Sequence, residues 1–428
     1  MQWLTTTNRL LWEWLLPVLL TAAAIVCGVR QRGRPVRGFT RLLRNTYGSL
    51  LRRGADADTR QQRRVFAAAL AATMGTGNLT GTALALMQGG AGALLWMWVS
   101  ALLGMFLVYA ENRLGMRYGG GTVGYLRHGL GSRHLAAIFA LLCAISALGM
   151  GCMVQSNTAA QTLAVYGIPV TWSGLLTAAV LLLVLTGGAR RVQYAAAWLM
   201  PVLCGAYLLI CAVILLLHLR EIPPLLKRIL LEAMGIRAAG QGISAAAMLA
   251  ALSTGLRRGI FSNEAGLGSS AMLHSDAPFR DAEMQGQWAA AEVFADTVIC
   301  CTATALVLLL APVPPAGEAT GWLIMAFRGL LGNAAGGFLA GCTVLLAFGT
   351  MLGWYPCGAA CMRYLFGNHG DAPFLTLYVL CAFAAAHGNP AWVWALCDLC
   401  NGLMSLPNLY ALLRLRETVY PEKKRRIR

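Results

Sequence analysis

The chain has 428 residues, 58% of them hydrophobic and only 12% charged, with a mean hydropathy of +0.62. Soluble domains carry about a quarter charged residues, so this composition excludes a soluble globular enzyme and defines a polytopic membrane protein. The net charge of +17 raises nucleic-acid binding, but the excess sits in short loops between apolar runs, where arginines set topology and meet anionic lipid, so no nucleic-acid partner is expected.

Apolar stretches of about 17 to 25 residues read as spans and predict an all-α chain with about eleven of them: 10–29, 64–89, 91–112, 135–155, 170–187, 193–218, 238–257, 288–312, 334–356, 374–388 and 391–413. The first run resembles a signal peptide at Ala22 to Ala24. The arginines that follow it, from Arg30 through Arg64, oppose export and favour an uncleaved helix. With the N-terminus outside and the C-terminus cytoplasmic, those arginines fall inside together with Arg113, Arg117, Arg127, Arg133, Arg190, Arg191 and the basic tail. The cell (inner) membrane is the expected location. Residues 1–63 form a peripheral first helix with a basic cytoplasmic loop, 64–413 a ten-helix core, and 414–428 a basic tail. The segment from Arg220 to Arg237 mixes charges outside, and Pro223 and Pro224 start a short surface helix there. The thirteen cysteines are scattered through apolar spans; Cys397 and Cys400 have no second ligand pair, so no metal or redox cofactor is expected.

Two core spans carry helix breakers. The first holds Gly75, Thr76, Gly77 and Asn78, and the other lies between Gly240 and Gly268, five spans later. Lipid cannot satisfy a free N–H or C=O, so a break survives only where protein, an ion or a solute supplies the partner. An odd number of spans between matching breaks predicts two five-helix repeats in inverted topology. At the first break, N–H groups opening the second half-helix suit a carboxylate, while carbonyls near Ala71 and Met74, with the Asn78 side-chain oxygen, suit a small cation. The competing reading is that Gly75, Gly77 and Gly81 only allow close helix packing.

Further candidates lie along the core. Glu264 in 257–269 is either a coupling or gating acid or a loop residue paired with Arg257 or Arg258 at the cytoplasmic surface. Gln155 and Asn157 can reach a solute amine or bond between helices. Asp296 lies two turns into a span and needs a cation, a partner or a proton. Thr350 offers a hydroxyl ligand, and Trp354 is either a lid or an interface-belt indole. Asp398 is a buried acid with no evident role.

The segments 75–86, 94–111, 153–157, 257–269, 294–310 and 351–367, above all GTGN and FSNEAGLGS, resemble the alanine or glycine:cation symporter family. The resemblance implies the five-plus-five leucine-transporter-like core preceded by one extra helix, and sodium-coupled import of a small neutral amino acid, with no enzymatic step. It places the substrate carboxylate on the amides of Thr76 and Gly77, and sodium on Ala71, Met74, Asn78 and Thr350. Gln155, Gly242 and Trp354 join the substrate pocket. Proton coupling through Asp296 or Glu264 is the alternative. Two departures stand out: Gly349 precedes Thr350 where the family often has a second hydroxyl, and Pro356, Cys357 and Ala359 replace part of a tyrosine-rich pattern.

Overall fold

The computed structural model describes residues 2–50, 57–236, 244–275 and 281–419. Among these no strand forms, and six helical stretches are long and apolar enough to cross a bilayer: Gln2–Arg30 (α1), Ala93–Tyr118, Arg133–Ala164, Trp198–Leu217, Ala282–Leu310 and Asn333–Ala386. The chain is a multi-pass membrane protein. Helix α2 (Ala57–Thr73) stops at the first predicted break and α3 (77–89) continues beyond it. Then follow α4 (Ala93–Tyr118), α5 (133–164), α6 (Val170–Leu185), α7 (Gly188–Leu217) and the surface helix α8 (Ile222–Ala233), which the paired prolines start as expected. Helix α9 (Ala245–Asn263) leads into the short α10 (Ser269–Leu273), and α11 (282–310) precedes α12 (Ala319–Leu331). Helices α13 (Asn333–Phe366), α14 (Asp371–Ala386) and α15 (Pro390–Arg414) complete the bundle.

Local chemistry fixes several starts. Ser132 and Ser244 accept N–H bonds from Leu135 and Ala247, both at 3.2 Å, and Asn389 caps α15 with Pro390 at its first position. The Ser244 cap puts the start of α9 at Ala245, several residues later than the apolar run suggests. Helix α12 is a difference from the sequence reading, which left 313–333 as a loop: its 13 residues are apolar but too short to span.

Small residues let the helices close. A Cβ on Gly255 would lie 2.5 Å from the Ala93 carbonyl and one on Gly259 2.7 Å from Ser100 Oγ, so α9 lies directly on α4. Two apolar clusters result. One joins α1, α5, α13, α14 and α15 around Leu16, Phe139, Trp354 and Tyr378; the other joins α3, α4, α7, α11 and α12 around Leu94, Tyr207 and Phe327. Ala72 belongs to the first cluster, Ala71 and Met74 to the second. The end of α2 therefore sits on the seam between them.

Candidate functional site

The helical ladder fails where the glycines predict it. Met74 N–H still reaches the Leu70 carbonyl at 2.7 Å. Gly75 N–H then turns to Thr73 O (2.9 Å) and to the Asn78 Oδ1 (3.1 Å), and Thr76 N–H points to Gln155 Oε1 at 3.4 Å. Pairing resumes in a wide turn, Gly81 N–H bonding Thr76 O at 2.8 Å. Every residue from 71 to 83 is buried. Side chains therefore replace the missing backbone partners, as burial in a membrane requires.

Gly75 has a specific reason to lack a side chain: a Cβ there would sit 2.0 Å from Thr350 Oγ1 and 3.3 Å from Gln155 Oε1. The Thr350 hydroxyl donates to the Ala71 carbonyl at 3.0 Å, and Thr76 Oγ1 donates to Gln155 Oε1 at 2.9 Å. Gln155 is held by its own amide on Met150 O, 3.0 Å away, next to the wide turn 149–153. These contacts carry a prediction. Gly75→Ala should insert normally yet lose nearly all uptake, since the added methyl must displace Thr350 or Gln155; wild-type uptake by this variant would mean the break is not the site.

Asp296 ties the two interruptions together. Its Oδ1 accepts from Asn78 Nδ2 (2.7 Å), and its Oδ2 accepts from Ser262 Oγ (2.7 Å) and Thr297 Oγ1 (2.9 Å). Its backbone carbonyl takes a second bond from Asn78 at 2.9 Å. Asp296 lies in another wide turn, 294–301. Such turns recur at functional sites because they displace side chains and free carbonyls. Gly77 lies close to the other interruption as well, a Cβ there meeting Ser262 Cα at 3.3 Å.

That second interruption falls at 264–268. Glu264 ends α9 with φ +56°, and Gly266 and Gly268 both take φ +83°. Glu111 on α4 accepts from Gly266 N–H (3.0 Å) and Asn408 Nδ2 (2.7 Å), and Thr122 Oγ1 donates to Gly268 O (2.6 Å). Glu111 was not singled out from the sequence, although an acid inside an apolar run is a sufficient signal. Glu264 does not pair with Arg257 or Arg258: it accepts the Trp354 indole N–H at 2.7 Å. Trp354 is fully buried, so it is no interface-belt residue, and its Cβ fills the space left by Gly151. Gly242 lies outside the described residues. Asn157 donates to the carbonyls of Ala385 and Gly388, both at 2.8 Å, which makes it an interhelical bond.

Asp398 acquires a partner. Arg258 grips it with Nη2 at 2.8 Å and Nη1 at 3.3 Å, and both side chains are buried. The Arg258 guanidinium lies 5.6 Å and 5.0 Å from the ring centres of Phe261 and Trp394, which pack on each other at 4.7 Å. These groups face a vestibule of about 300 Å³ that also touches Thr80 and Thr320. From the opposite direction a cavity of about 370 Å³ reaches Ala68, Met272 and Gly353. A Cβ on Gly353 would meet Ala72 N at 2.7 Å, so that side is closed by direct helix contact. At Gly349 a Cβ would lie 2.4 Å from Met200 Sδ, so the Met200 thioether occupies the space that a hydroxyl residue beside Thr350 would take.

A bundle of apolar helices with a buried polar break, approached by a cavity from each side, defines a transporter. The chain belongs to the sodium:alanine symporter family, whose model matches residues 1–425. It is 33% identical over 440 residues to the sodium/alanine symporter AgcS of Methanococcus maripaludis, covering 98% of this chain and 95% of that protein. It is 32% identical over 364 residues to the amino-acid carrier protein AlsT of Bacillus subtilis (82% and 77% covered), and 31% identical over 431 residues to the probable sodium/glutamine symporter GlnT of the same organism (96% and 88%). Among solved structures, the Eremococcus coleocola manganese transporter aligns with a TM-score of 0.55 at 15% identity, over 86% of this chain and 77% of that one. That likeness is one of fold. Family and relatives together make this protein an amino-acid:cation symporter.

Proposed function

We propose that the protein imports a small neutral amino acid, alanine or glycine, with sodium, and that both occupy the break between α2 and α3. The observation that carries this reading is the Thr350 hydroxyl resting on the Ala71 carbonyl beside the open ladder at Gly75. A carbonyl and a hydroxyl side by side are hard oxygen donors suited to a small cation, and Met74 and Asn78 extend the set. The amides of Thr76 and Gly77 take the substrate carboxylate at the positive end of α3. Gln155 and Trp354 bound the site, and the close approach of Thr350 and Gln155 to Gly75 and of Phe261 to Gly77 favours a methyl or hydrogen side chain.

Asp296 places a carboxyl group one hydrogen bond from Asn78. Three donors hold it, Asn78, Ser262 and Thr297. The energy is adequate: roughly 2.3 kcal/mol per charge across about 100 mV, with about 1.4 kcal/mol per tenfold ion gradient, sustains several hundredfold accumulation. The ten core helices would form two inverted five-helix repeats, with α1 outside them, the N-terminus external and the basic loops cytoplasmic. Transport then alternates the two cavities around a fixed site.

Uptake of labelled alanine into proteoliposomes, with sodium replaced by choline at constant pH, tests the coupling. Uptake should fall to background; undiminished uptake would reject sodium. Thr350→Ala should shift sodium dependence to higher concentration by about tenfold, the effect of losing one hydrogen-bonding ligand. An unchanged sodium curve would remove Thr350 from the ion site.

A further inference from the structure

A second buried polar chain lies on the side of the break toward α10, and the symport reading does not use it. Thr73 Oγ1, on the last turn of α2, donates to Glu292 Oε1 at 3.1 Å. Glu292 Oε2 faces His274 Nε2 at 2.9 Å, His274 Nδ1 meets the Gln285 amide, and Gln285 Oε1 accepts from Gln62 Nε2 at 3.1 Å. All five side chains are buried: Gln62 and Thr73 belong to α2, His274 ends α10, and Gln285 and Glu292 belong to α11. The chain thus ties the half-helices beside both interruptions to α11.

The Gln62–Gln285 bond sets the direction of the rest of the chain. Gln62 donates to the Gln285 oxygen, so the Gln285 amide nitrogen donates to His274 Nδ1. Nδ1 is then an acceptor, Nε2–H donates to Glu292, and the imidazole is neutral beside a carboxylate. A proton added at Nδ1 requires both glutamine amides to turn over, and Gln62 Oε1, which has no partner in the present arrangement, gains one from Gln285. No bond of the chain has to be given up. The added proton also places a positive charge on the His274–Glu292 hydrogen bond, which strengthens it.

We propose that His274 and Glu292 are a proton-binding site, and that a proton there tightens the latch between α2, α10 and α11. This rests on the symport reading for its consequence, slower inward opening, but the latch itself can be measured without transport. The other titratable and charged groups around the pair do not supplant it. Glu264, at the end of α9, receives Trp354, and Asp296, one turn along α11, is held by its three donors. Tyr47 donates to Ala291 O at 2.7 Å. Arg63 of α2 donates to Ser49 O at 2.6 Å, Arg113 of α4 pairs with Glu283, and Arg363 of α13 pairs with Asp371.

Amide hydrogen exchange of 269–273, corrected for the intrinsic pH dependence of exchange, should show protection rising about threefold or more on acidification from about pH 8 to about pH 5.5. His274→Gln and Glu292→Gln keep hydrogen bonding and should lose this step while retaining sodium-dependent alanine binding. Uptake should fall on acidification in wild type and stay flat in both variants. Equal protection of wild type at the two pH values, or a step that persists in His274→Gln, would overturn the proposal. A protection step without sodium-dependent uptake would leave the latch standing and defeat the symport reading instead.

Discussion

Asn78→Leu should reduce sodium-dependent uptake by at least about a hundredfold while the protein inserts and purifies as a monodisperse species. The amide of Asn78 performs three tasks: it accepts from Gly75 N–H, and it donates to both the carboxylate and the backbone carbonyl of Asp296. Leucine has the same side-chain branching, is somewhat bulkier, and can do none of them. A buried carboxyl short of one donor costs about 1 to 3 kcal/mol, Gly75 N–H is left with Thr73 O alone, and each 1.4 kcal/mol is about tenfold in an equilibrium. The helices on either side keep their own ladders, so the loss should appear in transport rather than in folding. Asn78→Asp is a sharper variant, because it keeps the acceptor for Gly75 but faces Asp296 with a second negative charge. It too should fail. Uptake by either variant at wild-type rates would remove Asn78 from the site.

Asp398→Ala should be the most destabilising single change on the vestibule side. Removing one partner of a buried bidentate ion pair leaves Arg258 charged and desolvated, at a cost of about 3 to 5 kcal/mol. The cation is otherwise held only by the faces of Phe261 and Trp394. The same reasoning predicts that Arg258→Met combined with Asp398→Leu regains most of the lost thermal stability, because an apolar pair replaces both buried charges while Arg257, 3.9 Å from Asp398, keeps its bond to Gln88. Uptake should not recover to the same degree, since the pair closes the floor of the vestibule above Thr80. Thermal unfolding of the two single variants and the double variant, followed by tryptophan fluorescence, decides the point: a double variant no more stable than Asp398→Ala would contradict it.

The first break was legible because Gly75, Gly77 and the polar residues between them stand out in an apolar run, and their backbone consequences are local. Asp296 was legible as an acid at depth, but its partners were not, because Ser262 and Asn78 approach it from helices far apart in the chain. The wide turns at 149–153 and 294–301 leave the apolar pattern unbroken and so gave no sign. Arg258 was misplaced for a different reason. A start of α9 near 238 puts it at the cytoplasmic surface, whereas the Ser244 cap moves the helix and brings Arg258 against Asp398, 140 residues away. Helix α12 was too short to be counted as a span and too apolar for an ordinary loop, which is the signature of a segment buried by its neighbours rather than by lipid. Glu111 was legible as an acid in an apolar run and was passed over, whereas His274 and Glu292 are revealed only by contact across α2, α10 and α11.

Equilibrium titration of alanine into the purified protein, run with sodium and with choline on wild type and on Asn78→Leu, most directly tests whether the gap between α2 and α3 holds an amino acid and its ion together. Saturable binding in sodium, its loss in choline, and its loss in Asn78→Leu even with sodium present are the expected results. Binding that ignores the cation, or that survives Asn78→Leu unchanged, would contradict the account.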